Sequence, residues 1–429
     1  MIAAGLQAAD PYHSLLHTVS LLGHSLRVGR RTYDLQRYDR VLAVGAGKAS
    51  ARMAQALELV LGARLEGGLV VVKTGHSVST RRIRILEAGH PIPDRAGLQA
   101  AKHIRDAITE LTPRDLLFVL LSGGASSLLP APVPGVTLAN KQRTTRLLIR
   151  SGATIQEINI VRKHLSLLKG GGLAASTNAT ISTLILSDVM GDDLGSIGSG
   201  PTAPDPTTFA DAIKVLQRYK LWRLVPEAVR HQLLLGRRGA VPETLKPGTR
   251  RLRRVQHEII GNNSGMLEAV ARVARKAGLR TVLISTAITG EACQAAKQLG
   301  SLARYIASGT DLLRRPCCLV AGGETTVTVK GRGKGGRAQE FAVAAALEIA
   351  GLRNVWIAAV GTDGSDGPTD VAGAVVSGET VVQAKQLGVD LRVAVKRHDT
   401  YPALKALRSH IRTGPTGTNV NDLYLAIVL

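Results

Sequence analysis

The chain has 429 residues, of which 45% are hydrophobic and 3% aromatic, and Lys and Arg outnumber Asp and Glu by 55 to 32, a net charge of +23. That length predicts two domains with cores of Ala, Val, Leu and Ile, and the basic balance suits anionic ligands without bearing on fold. No apolar run approaches membrane-spanning length, and three cysteines (Cys293, Cys317, Cys318) without metal spacing fit a reducing, cytoplasmic setting.

In chain order, the His-rich opening predicts a helix over residues 13–28, with no signal-peptide core. Residues 40–44 read as a strand running into Gly45-Ala46-Gly47-Lys48, and Ala49, Met53, Ala56, Leu57 and Val60 then mark one helical face. Strands follow at 68–72, 83–88 and 115–121, with a helix at 96–110 and a Pro-rich loop at 89–94. Helices at 137–150 and 154–168 precede a strand at 181–186 that ends in Ser187-Asp188-Val189-Met190-Gly191-Asp192-Asp193. The Gly, Pro and Arg-rich stretch 235–254 predicts a boundary, giving domains of 1–240 and 241–429, with the last strand free to return to the first. Beyond it, strands at 259–260, 281–284, 317–321, 325–330 and 355–359 alternate with helices at 266–277, 291–308 and 337–350. Alternation of this kind defines an α/β protein with mainly parallel sheets.

The most informative stretch is Gly361-Thr362-Asp363-Gly364-Ser365-Asp366-Gly367-Pro368-Thr369-Asp370, three carboxylates on a glycine-rich loop after a buried strand. Asp and Gly are ordinary turn residues, but clustered aspartates at the carboxyl end of a strand equally suit a metal ion or a basic partner. Four loops share this design, the others being 45–48, 122–127 and 188–193, and together they predict one cleft built from strand ends. Gly45 and Gly47 resemble a dinucleotide fingerprint with Ser50 in place of the last glycine, while a Walker A loop is excluded by the missing first Gly and Ser/Thr. What remains is a helix start carrying Lys48, against its dipole and ready for phosphate. Gly331-x-Gly333-x-x-Gly336 matches the fingerprint literally, but Arg332, Lys334 and Arg337 suit phosphoryl groups better than a nicotinamide. Ser122-Gly123-Gly124-Ala125-Ser126-Ser127 forms a candidate anion nest without a nucleophile elbow. His76 and His90 sit near strand ends, although a lone His is more often structural.

These residues carry a resemblance. Val44 to Ala49, Glu87 to Asp94, Leu121 to Ser126, Ser187 to Asp193, Gly198-Ser199-Gly200-Pro201-Thr202, Gly322-Gly323-Glu324-Thr325-Thr326, Gly361 to Asp370 and Gly414 to Leu423 resemble the glycerate kinases that phosphorylate the 2-hydroxyl and end in a MOFRL domain. The usual Gly-Gly-Arg-Asn-Gln-Glu is here Gly335-Gly336-Arg337-Ala338-Gln339-Glu340, a lost amide at the edge of the site. The resemblance implies a larger Rossmann-like N-terminal α/β domain and a smaller C-terminal α/β domain of MOFRL type, with an interdomain cleft. It implies Mg²⁺-assisted transfer from ATP to D-glycerate, giving 2-phosphoglycerate, with Lys48 and Arg337 at the chemistry. Asp188 or Asp363 would accept the hydroxyl proton or bind metal, and those two roles stay open. The expected binding residues are Gly45, Gly47, Ser122, Gly123, Gly124, Ser126, His90, Asn263, Glu324, Thr325 and Lys334, with Asp193 and Asp366 for the metal.

Two rival readings follow from the same residues. An NAD(P)H-dependent hydroxypyruvate or tartronate-semialdehyde reductase requires an acid about 20 positions after the glycine turn, where Glu66 is the nearest and ends a helix. A nucleic-acid-binding protein requires cations on one face, whereas Arg81-Arg82 and Arg250-Arg251-Leu252-Arg253-Arg254 fall in separate connections with no aromatic residues between them. The expected partners are therefore small molecules, with neither specific nucleic acid nor membrane, in a monomer or homodimer.

Overall fold

The structure, a computed structural model, describes residues 1–309 and 313–429. Its contacts separate two units, residues 11–260 and residues 1–10 with 261–429.

In the first unit the expected opening helix is short, Pro11–Thr18, because Gly23 and Gly29 take positive φ and turn the chain into hairpins. The result is a small antiparallel sheet of β1 (Val19–Leu22), β2 (Ser25–Val28) and β3 (Arg31–Asp34). The main sheet contains β4 (Arg40–Ala46), β5 (Gly67–Lys73), β6 (Ile83–Ala88), β7 (Asp115–Leu121), β8 (Thr180–Leu186) and β9 (Val255–Gly261) in the order β6-β5-β4-β7-β8-β9. Pairing is parallel from β6 through β8. Chain progress thus reverses between β4 and β7, the switch point at whose carboxyl ends a doubly wound sheet binds ligands. Every residue of β7 is buried, with Leu116 to Leu120 at 0% exposure. Each such side chain stabilises the fold by roughly 1.5–3 kcal/mol relative to exposure. Three helices that pack on one another in a separate apolar cluster begin with capping boxes at Thr137/Asn140, Thr154/Glu157 and Thr208/Asp211.

The unit boundary lies at 260/261 rather than in the 235–254 stretch. The cationic run explains the difference: Arg251 and Arg254 donate to the carbonyls of Ala175 and Asn178, so the run is fastened to the first unit and leads into its edge strand β9.

In the second unit, β10 (Arg280–Ile288), β11 (Cys317–Gly323), β12 (Val355–Gly361), β13 (Gly373–Ser377), β14 (His410–Ile411) and β15 (Asp422–Val428) form a sheet ordered β10-β11-β15-β12-β13-β14. Only β10 and β11 pair in parallel, and the remaining pairs are antiparallel. The expectation of mainly parallel sheets therefore fits the first unit alone. The last strand does not return to the first unit: β15, apolar on both faces, fills the middle of this sheet. Instead the Ile2–Ala8 helix joins this unit, where a side chain on Gly5 would meet Val270 Cγ2 at 2.7 Å and Thr418 Oγ1 donates to the Ala9 carbonyl at 2.5 Å. The expected strand at 325–330 is not formed, and a single bridge pairs Thr326 with Glu291.

Candidate active site

In the first unit the loops after β4, β7 and β8 converge at the switch point. Lys48 N donates to the Gly123 carbonyl at 2.9 Å, and Ala49 N donates to Ser122 Oγ at 3.0 Å. Ser50 stands where the fingerprint has its last glycine, and its hydroxyl lies 3.0 Å from Ser122 Oγ, joining the two loops. Gly47 has φ +142°, and a side chain there would collide with Ser122. At Gly124, with φ +92°, a Cβ would sit 3.0 Å from the His90 ring and 3.5 Å from Lys48 Cγ, so the lysine, the imidazole and the nest share one spot. A side chain on Gly123 would strike the Asp188 carboxylate. Asp188 is thereby gathered with Lys48, Ser122, Gly123, Gly124 and His90. Burial, then the positive charge of Lys48 and Lys73, pushes the His90 pKa down to about 4, leaving a neutral ring at neutral pH. His76 Nδ1 lies 3.2 Å from the Lys48 carbonyl and steadies the loop. Ser126 is engaged by Ser199 Oγ at 2.9 Å, and Ser199 in turn donates to Asn159 Oδ1.

The second unit centres on Arg337, the first residue of the helix Arg337–Glu348. Its Nε and one terminal nitrogen reach both oxygens of Asp422 at 2.7 and 2.9 Å, and its other nitrogen reaches Glu324 Oε1 at 2.6 Å. Tyr424 donates to Asp422 at 3.1 Å and exchanges a 3.0 Å hydrogen bond with Thr325, so the fork is braced from behind. Burial opposes the charge on Arg337, but these carboxylates hold its pKa above the usual range. Burial raises the Asp422 carboxyl to about 6 despite the opposing pull of Arg337. A cavity of about 600 Å³ is lined by Arg337, Asp363, Ser365, Gly333, Gly335 and Gly336 among others, and not by Lys334.

The three aspartates of the 361–370 loop have separated tasks. Asp363 lines the cavity with one oxygen accepting from Ser365 N and Oγ. Asp370 is exposed and pairs with Tyr401 and Arg412. Asp366, expected at a metal, is 3% exposed and accepts from Ala338 N at 3.0 Å, Gln339 N at 2.8 Å and Gln339 Nε2 at 3.0 Å. It caps the Arg337 helix, so it does not fit a metal. Asp193 is exposed, each oxygen accepting one bond in its own turn, and keeps lone pairs for a cation.

Other expected contacts also resolve into supports. Thr325 is spent on Tyr424, while Asn263 donates to the carbonyls of Val420 and Asp422 at 2.8 and 3.2 Å and positions the start of β15. Lys334 lies over the Tyr401 ring at 4.5 Å. The glycines at 331, 333 and 336 follow no strand. They let the loop lie against residues 397–400 and Asp366, where side chains would clash. Sequence reasoning missed Asp422 and Tyr424 as partners, although a carboxylate opening the otherwise apolar strand β15 was a readable signal. It also missed two buried cations, Lys141 and Lys169, and the half-buried Arg162 beside them, spread over polar helix and loop sequence.

The first cluster sets Lys48 and main-chain groups at the ends of buried strands, and the second fixes Arg337 between two carboxylates at the wall of a cavity, on an α/β framework whose sheet has a switch point. Residues 1–234 match the family described as a domain of unknown function (DUF4147), and residues 317–422 match the MOFRL family. Glycerate 2-kinase of Pyrococcus horikoshii is 42% identical, covering 100% of this chain and 96% of the relative. The crystal structure of glycerate kinase from Thermotoga maritima has a TM-score of 0.89 at 37% identity, covering 100% of this chain and 97% of that one. An Agrobacterium vitis protein provisionally named a hydroxypyruvate reductase is 41% identical over 91% of this chain and 87% of its own length. The chain belongs to the MOFRL-type glycerate kinase family.

Proposed function

We propose that the chain transfers the γ-phosphoryl group of ATP to the 2-hydroxyl of D-glycerate, releasing ADP and 2-phosphoglycerate. The observation that carries this reading is the Arg337 guanidinium, fixed by Asp422 and Glu324 at the wall of a cavity it shares with Asp363. Phosphoryl transfer asks little covalent chemistry of a protein and much positioning and charge neutralisation. The 2-hydroxyl oxygen bonds to the γ-phosphorus, the bond from phosphorus to the bridging oxygen of ADP breaks, and the hydroxyl proton passes to a carboxylate. Arg337 neutralises charge on the transferring group, Lys48 binds an anionic group at the switch point, and Asp188 or Asp363 takes the proton. Neutral His90 offers a hydrogen bond without adding charge beside Lys48. Asp193 would hold a Mg²⁺ ion carried by the nucleotide phosphates, which when bound supplies further neutralisation. Three free thiols agree with a cytoplasmic setting, and a homodimer belongs to the same reading.

The reductase reading draws on the Agrobacterium name and on the dinucleotide-type strand order. Against it, Glu66 lies at the amino end of β5 and pairs with Arg40 at 3.0 Å, while the carboxyl end, where a ribose-binding acid belongs, carries Lys73. The deciding experiment incubates the purified chain with ATP and D-glycerate and identifies the product by NMR, beside NAD(P)H absorbance with hydroxypyruvate. Phosphate at C2 supports the kinase, and hydride consumption without ADP formation overturns it.

A further inference from the structure

Beside the switch point, the first unit holds a chamber of about 370 Å³ walled by Pro91, Ile92, Pro93, Pro130, Leu138 and Ile149. Lys141, Arg162 and Lys169 also line it, and among the described residues none of the three forms an ion pair. Lys141 is 8% exposed, and its Nζ has no hydrogen-bond partner. Lys169 is 3% exposed and donates to the Ser126 carbonyl at 2.8 Å, tying the cations to the loop that packs on Lys48 and His90. Burying an ammonium without a counter-charge is strongly unfavourable, and here it lowers the Lys141 pKa to about 7, with Arg162 adding repulsion. A chain keeps such an arrangement when a ligand supplies the missing negative charge.

We infer that this chamber seats the nucleotide, its polyphosphate on Lys141, Arg162 and Lys169 and its base against the proline and isoleucine walls. The inference rests on the kinase reading and assigns its donor site. Size and charge decide against the acceptor: pockets of roughly 300–1,000 Å³ suit ligands far larger than a three-carbon acid. Three uncompensated cations, moreover, exceed what one carboxylate can neutralise.

The test measures ADP binding by calorimetry on the full chain, wild type against Lys141→Met, with the steady-state KM values for ATP and D-glycerate. The expected result is ADP affinity and KM for ATP weakened at least tenfold, KM for D-glycerate within twofold, and an apo melting temperature at or above that of wild type. Ile149→Trp, at an exposed wall position, narrows the chamber while leaving Lys141, Arg162 and Lys169 in place, and should weaken ADP as well. Unchanged ADP affinity in both variants, or a rise confined to the KM for D-glycerate, overturns the assignment. A wild-type chain that binds ADP in a Lys141-dependent manner yet leaves D-glycerate unphosphorylated would sink the kinase reading and spare the chamber.

Discussion

Arg337 illustrates how a guanidinium becomes a fixed instrument: Asp422 takes two of its nitrogens, Glu324 a third, and Tyr424 steadies Asp422. A lysine cannot reproduce that fork. Arg337→Lys should therefore lower kcat by about 10³-fold, the scale of a charge-stabilising arginine in phosphoryl transfer, with Lys48→Ala losing activity by orders of magnitude and circular dichroism unchanged in both. Near-normal turnover in either variant removes that residue from the mechanism. Asp422 carries a pH signature as well. Its carboxyl sits at about 6, so acid below that value protonates it and slackens its hold on Arg337. The pH profile of kcat/KM should fall on the acid side of about 6, and Asp422→Asn should flatten that limb while lowering the plateau. A limb that survives the substitution would assign it to another group. Sequence gave access to Arg337 and Lys48, because a cation at a glycine-flanked helix start is a local pattern. It could not separate Asp363, Asp366 and Asp370, since burial and partners, set by distant segments, assign each its task.

At the scale of elements, the Arg337–Glu348 helix depends on a cap borrowed from a loop 27 or 28 positions away, Asp366. Loss of a helix cap costs about 1 kcal/mol, and each buried donor left unpaired costs about 1–3 kcal/mol more. Asp366→Ala should thus destabilise the chain by roughly 2–4 kcal/mol in urea, and should lower activity by loosening Arg337. Wild-type stability in that variant would return Asp366 to the list of ligands. Strands β4 to β8 of the first unit were readable within a residue or two, as β7 shows, because each is an apolar run that ends in a turn or loop; the hairpin sheet of β1 to β3 and the helices Phe209–Arg218 and Glu227–Arg237 were not. The 325–330 stretch was misread: its β-branched residues promise a strand, but among the described residues its pairing is the single bridge of Thr326 with Glu291.

For the molecule as a whole, the net charge of +23 hinted at an anionic ligand and nothing narrower. Part of that charge has internal employment, with Arg251 and Arg254 on carbonyls and Lys141, Arg162 and Lys169 around one chamber. The two-unit plan was legible, yet its seam was not, since no local pattern announces that β15 enters the middle of its sheet or that residues 1–10 cross to the far unit. Gly5 against Val270 and Thr418 against Ala9 hold that crossing in place. Removing residues 1–10 should accordingly lower the thermal midpoint of the 261–429 unit by several degrees, read by hydrogen exchange in the Asn263–Lys276 helix, with protection in β7 unaltered. Uniform protection loss, or none, would deny the crossing its role. During synthesis that decapeptide emerges well before its partners exist, so the nascent polypeptide must keep its apolar side unclaimed until more than 250 further amino acids have been added.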